Sequence, residues 1–193
     1  MQDLTEELED LVTRRVREGF DRFEEIVEDV VECLADDHPD TNLEPLVRTA
    51  ATAAWDRARE EQISWPVPTD CDRLDRAFAA LERSGVVARQ NFTCCQNCGH
   101  AEIGDEIGEA SKQRRIVGYT FYHFQDTERA AEGGGLWLAY GAVEQSESAQ
   151  RRVGWSVAEA LRREGLTVVW DGNVQKRIQV TPLVWRRRRS FAK

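Results

Sequence analysis

Ile116-Val117-Gly118-Tyr119-Thr120-Phe121-Tyr122-His123-Phe124 is the stretch that decides the fold. Seven of its nine residues are β-branched or aromatic, the composition of a strand that packs on a pleated, half-buried surface. Downstream, Asp126–Glu132 fits a short helix stopped by Gly133-Gly134-Gly135, and Leu136–Val143 reads as another strand. Ala149–Glu164 follows as a helix closed by Gly165. Leu166–Trp170 and Arg177–Val180 form the arms of a hairpin around Asp171-Gly172-Asn173. Upstream, Val86–Thr93 is a strand, separated from the central one by a cysteine cluster and an acidic connector, Glu102–Arg115.

Before Val86 the periodicity changes. Leu4, Leu8, Leu11, Val16, Phe20, Phe23, Val27, Val30 and Leu34 recur at helical spacing, so one long amphipathic helix is expected up to Asp36-Asp37-His38-Pro39. Asn42 is placed to cap a second helix through Leu43, Val47, Ala51 and Ala58. Trp65-Pro66-Val67-Pro68 breaks the chain, and Thr69 and Asp70 cap a third helix ending at Gly85. The expectation is an α+β protein: an acidic helical region over 1–64, then a 69–193 domain holding a mixed or antiparallel sheet with two helices.

Composition limits the function. The 193 residues are 41% hydrophobic and 32% charged, too apolar for a disordered chain. The net charge of −9 excludes a uniformly basic nucleic-acid binder. That charge is uneven, since residues 1–80 carry 22 acidic and nine basic side chains while the remainder is mildly basic. The basic run Arg186-Arg187-Arg188-Arg189 is a solvated tail, a phosphate contact, or a strap for the acidic helices of the same or another chain. The Phe78–Val87 stretch has the cadence of a winged helix, but the preceding helices are acidic and lack a basic recognition face. The longest charge-free apolar run after the cysteines, Gly133–Val143, falls short of the ~20 residues of a membrane-spanning helix. The acidic start is unlike a signal peptide, so a cytoplasmic protein is expected, with no membrane partner.

The chemistry lies in Thr93-Cys94-Cys95-Gln96-Asn97-Cys98-Gly99-His100. Cys95 and Cys98 have the C-x-x-C spacing that turns two thiolates toward one metal ion, with Gly99 expected at positive φ behind them. Structural zinc takes four ligands, and no second C-x-x-C pair is present. Cys94, His100, His123, Cys71 and Cys33 are the remaining sources, and His123, on the neighbouring strand, is preferred. Successive residues of an extended chain point opposite ways, which sets Cys94 and Cys95 on opposite sides. The expected ligands are therefore Cys95 and Cys98, then Cys94 and His123, around Zn²⁺. Thiol–disulfide exchange by Cys95 and Cys98 is one competitor, opposed by the glycines after them. Simple packing of small buried thiols is another.

His123 and Asp126 could also serve as the acid–base pair of a hydrolase or transferase, but Asp126 or Thr127 serves equally well as a helix cap. Gly133-Gly134-Gly135 lacks the Gly-Lys-Ser/Thr ending of a phosphate loop. The acidic connector does not have calcium-loop spacing.

The succession CCQNCGH, YHFQDTERAAEGGGLWLAYG and VVWDGNVQKRIQV, with a terminal tryptophan and arginines, resembles a family of bacterial proteins filed as a domain of unknown function. The resemblance spans about residues 69–189 and implies one folding unit from the cysteines to the hairpin. The residues point to a non-catalytic interaction or regulatory module with a structural zinc site, and the resemblance adds no activity to that reading. Its partner would be a protein or a second copy of the chain.

Overall fold

A computed structural model describes residues 2–191. The chain divides into two compact units, one running to Val67 and resuming at Arg186, the other Pro68–Trp185.

The first unit holds α1 (Gln2–Glu18), α2 (Phe23–Ala35) and α3 (Leu43–Ile63). The single long helix expected from the N-terminal stripe is two helices. Gly19 takes φ +85° and ends α1, in a conformation that a side-chain-bearing residue resists. The Glu25 carboxylate then accepts the Arg22 N–H at 2.7 Å and starts α2. The stripe survives the break because both helices fold their apolar faces onto one core, with Val12, Ile26, Val30 and Val47 almost fully buried. Each such side chain contributes about 1.5–3 kcal/mol of burial.

The returning C-terminal segment closes this unit through its arginines. Arg187 lies over the Phe20 ring, 4.2 Å from its centroid. Arg188 donates to the Pro66 carbonyl at 2.7 Å. Arg189 donates to the carbonyls of Val16 at 2.6 Å and Asp21 at 3.3 Å, and its backbone N–H reaches the Gln62 side chain at 3.0 Å. Val16 lies in the last turn of α1, where carbonyls have no partner within the helix. The tail is thus held by aromatic faces and by helix-end and loop carbonyls of its own chain.

The second unit is built on a five-stranded sheet of order β1-β2-β3-β5-β4: β1 (Val86–Arg89), β2 (Gly118–Phe121), β3 (Leu136–Ala142), β4 (Val168–Val169) and β5 (Ile178–Val180). Strands β1 and β2 are parallel and the other pairs antiparallel, giving a mixed sheet. The helices are α4 (Asp70–Arg83), α5 (Gln96–Ser111), α6 (Phe124–Ala131) and α7 (Glu147–Arg163). Helix α4 begins with a capping box: Asp72 N–H donates to Thr69 at 3.1 Å and Thr69 N–H to Asp72 at 2.8 Å. The Phe78–Val87 stretch does not build a winged helix, because β1 runs on into α5 and pairs parallel with β2.

The expected acidic connector is α5. Parallel neighbours need a crossover, and a helix is its usual form. Ile103 supplies the buried contact, in a cluster with Val87, Ile116, Phe121 and Ala139. Arg89 of β1 clamps the helix flank by bonding Glu106 at 2.7 Å. Glu82 covers the open edge of β1, its carboxylate accepting the Ala88 N–H at 2.7 Å and Arg89 at 2.6 Å. Arg114 bonds both the carboxylate and the carbonyl of Glu82. One carboxylate thus ties α4, β1 and the exit of α5 together.

Candidate metal centre

The loop between β1 and α5 brings the cysteines together. Asn91 and Thr93 have positive φ, +51° and +58°, so the chain leaves extended geometry before Cys94. The loop is stitched to the end of β2 by Phe92 N–H to the Tyr122 carbonyl (2.9 Å) and Phe124 N–H to the Thr93 carbonyl (3.0 Å). Thr127 on α6 donates to the Asn91 side chain at 2.7 Å.

Cys94, Cys95 and Cys98 converge, their three sulfurs within 4.8 Å of one another. Cys98 Sγ lies 3.3 Å from Cys94 Sγ and 3.6 Å from Cys95 Sγ. An extended chain would set Cys94 and Cys95 on opposite sides; they share one because the segment is a turn entering a helix. Cys95 is the N-cap of α5 and Cys98 stands in its first turn. Cys94 is exposed, Cys95 and Cys98 partly so. Gly99 is helical and does not have the positive φ expected of it. Its role is close approach, since a Cβ there would come within 2.4 Å of the Phe121 ring.

The thiols perturb one another. The Cys95 thiol is held below its usual range, chiefly by the Cys98 backbone N–H and then by the Cys98 thiol. The Cys98 thiol is pushed up to about 12, first by hydrogen bonding with Cys94 and then with Cys95. Three thiolates this close repel one another, and a soft cation among them removes the repulsion.

The other sequence candidates lie outside this group. His100 contacts Tyr119 through Nδ1 at 3.3 Å and Gln96 through Nε2 at 3.5 Å. Cys71 is buried on α4, and Cys33 is exposed on α2 in the other unit.

His123 caps α6, in the place expected for Asp126 or Thr127. Its N–H donates to Asp126 at 3.3 Å, while its Nε2 lies 3.0 Å from the same carboxylate. Arg177 holds Asp126 in a two-pronged grip, with one bond of 3.1 Å, and donates to the Trp137 carbonyl at 2.6 Å. Sequence reasoning missed Arg177, for which the only local signal was a charge entering a buried strand. Burial lowers the His123 pKa, and the charges of Arg177 and Arg129 oppose the rise that Asp126 would cause. The His123 side chain is 6% exposed and that of Asp126 0%, so the pair is closed to substrate. The Nδ1 atom of His123 is buried and has no hydrogen-bond partner among the described residues.

No helix among the described residues is long and apolar enough to cross a membrane. No curated protein and no solved structure matches the chain. The family match extends over the N-terminal helices as well as the sheet, beyond the segment in which the sequence resemblance was seen. Its model covers residues 1–189, and the chain belongs to the family described as a domain of unknown function (DUF6891).

Proposed function

We propose that the chain is a cytoplasmic, non-catalytic interaction or regulatory module that binds zinc through the thiolates of Cys94, Cys95 and Cys98. The observation that carries this is the convergence of three sulfurs within 4.8 Å at the start of one helix. Thiolates favour zinc among the divalent ions of a reducing compartment.

His123 is the proposed fourth ligand. A metal-binding imidazole commonly donates its remote N–H to a carboxylate, leaving the other nitrogen for the ion. Asp126 sits at Nε2 in that role, and Nδ1 is left without a partner among the described residues. The ring lies outside the three-sulfur group, so coordination would require the Cys94 loop and His123 to close on the ion.

Protein purified without chelator should carry about one zinc per chain by elemental mass spectrometry. A content below roughly 0.2 would overturn the proposal. Cys98→Ser should abolish binding, whereas His123→Ala should weaken it about 10–100-fold if the imidazole coordinates. Unchanged affinity in His123→Ala would remove it from the ligand set.

A further inference from the structure

Cys98 has two reaction partners, and Cys94 is open to solvent. Each neighbouring sulfur must move less than about 1.6 Å to reach the ~2.05 Å of a disulfide bond. Cys94 and Cys95 are adjacent in the chain, and a bond between them would strain the planar trans peptide that joins them. Both favourable linkages therefore share Cys98. The two partners lie before the first turn of α5, on a loop that can shift without unwinding the helix.

We infer that the cluster is a site of reversible oxidation by hydroperoxides, in which Cys98 closes a disulfide with Cys94 or Cys95. The exposed Cys94 thiolate attacks the terminal peroxide oxygen. An S–O bond forms, the O–O bond breaks, and the alkoxide leaves and takes a proton to become the alcohol. The Cys98 thiol then attacks the Cys94 sulfenic sulfur: the S–S bond forms, the S–O bond breaks, and the hydroxide leaves with the Cys98 proton as water. Two thiols are oxidised by two electrons, and the hydroperoxide is reduced to alcohol and water. Cys95 remains a thiol 3.6 Å from Cys98 and, as a thiolate, can displace Cys94 from the disulfide. An external dithiol returns the cluster to three thiols.

One consequence rests on the zinc proposal above. Every disulfide through Cys98 leaves a single thiolate, so metal binding and oxidation exclude each other. Zinc would shield the sulfurs, and peroxide would release it.

The test uses the full chain, stripped of metal by chelator, treated with hydrogen peroxide and mapped by non-reducing peptide mass spectrometry. The wild type should lose two hydrogens and yield Cys94–Cys98 and Cys95–Cys98 cross-linked peptides. Cys95→Ser should retain the first linkage, whereas Cys94→Ser, which lacks the peroxide-reactive thiol, and Cys98→Ser should yield neither, with circular dichroism confirming that each variant is folded. A cluster disulfide formed equally well in Cys98→Ser, or direct passage to sulfinic acid without a disulfide, would overturn the inference. In a parallel arm, oxidation should weaken zinc binding more than about tenfold, reversibly with dithiothreitol. If the reduced protein takes up no zinc, the metal proposal fails while the peptide map still decides the oxidation chemistry. If the oxidised protein binds zinc as before, the coupling between the two fails.

Discussion

The Arg189 guanidinium lies over the Trp55 indole, 4.5 Å from the ring centroid, while donating to the carbonyls of Val16, in the last turn of α1, and Asp21, in the loop before α2. Burial pushes its pKa down to about 10 against the charges of Asp21 and Glu18, so it stays protonated at neutral pH. Arg189→Ala should destabilise the protein by about 1–3 kcal/mol in urea denaturation. Arg189→Lys should recover only part of this, because an ammonium lacks the planar fork that stacks and bonds together. A neutral alanine substitution would show that the tail is not part of the fold.

Asp21 should behave in the opposite way. Burial raises its pKa, only partly countered by Arg15, so the folded state binds the proton more tightly than the unfolded chain. Stability contributed by this group therefore falls as pH rises from the ordinary aspartate range through the raised value. Asp21→Asn should stabilise the protein at pH 7 by less than about 1 kcal/mol, screened as the site is. The gain should disappear near pH 4, as followed by urea midpoints across that range.

Asp126→Asn should be the costly change. It leaves Arg177 and His123 facing a neutral amide inside the protein, at about 3–5 kcal/mol. Replacing Asp126 and Arg177 together with leucine should cost less than the single change, since no charge then remains buried unpaired. Chemical denaturation of the three proteins decides the matter.

The glycines of α5 divide by surroundings. At Gly104 and Gly108 an added methyl would meet nothing within 4 Å, so alanine at either should stabilise by about 0.5–1 kcal/mol. Gly99→Ala should instead destabilise and weaken zinc uptake, because its methyl would strike Phe121 and push the first turn away. Thermal melts and zinc titration separate the two classes.

Much of this was legible in the sequence, for identifiable reasons. Richness in β-branched and aromatic residues marked the strand within Ile116–Phe124, and the helical period marked the N-terminal core, because both patterns record burial. Helix α5 was hidden because Gly99, Gly104 and Gly108 read as loop residues. Its single buried isoleucine and its clamp from Arg89 to Glu106 are tertiary facts. The break at Gly19 was masked by a stripe that continues in phase across it. C-x-x-C spacing identified Cys95 and Cys98. Cys94 was a further expected ligand, but the left-handed backbone at Asn91 and Thr93 that precedes it is not announced by residue type. Arg177, 51 positions from its carboxylate, could be found only by folding the chain.

The first unit is discontinuous in sequence, and this bears on how the chain matures. Helices α1 to α3 leave the ribosome early, but Phe20, Trp55 and the carbonyls ending α1 must wait for Arg187 and Arg189. Those arginines are made only after all of Pro68–Trp185. The sheet unit can fold as an uninterrupted segment while the helical one remains open. Completion of the helical unit thus reports that translation has passed the arginines, and a chain stalled before them would present an unfinished aromatic surface to quality control.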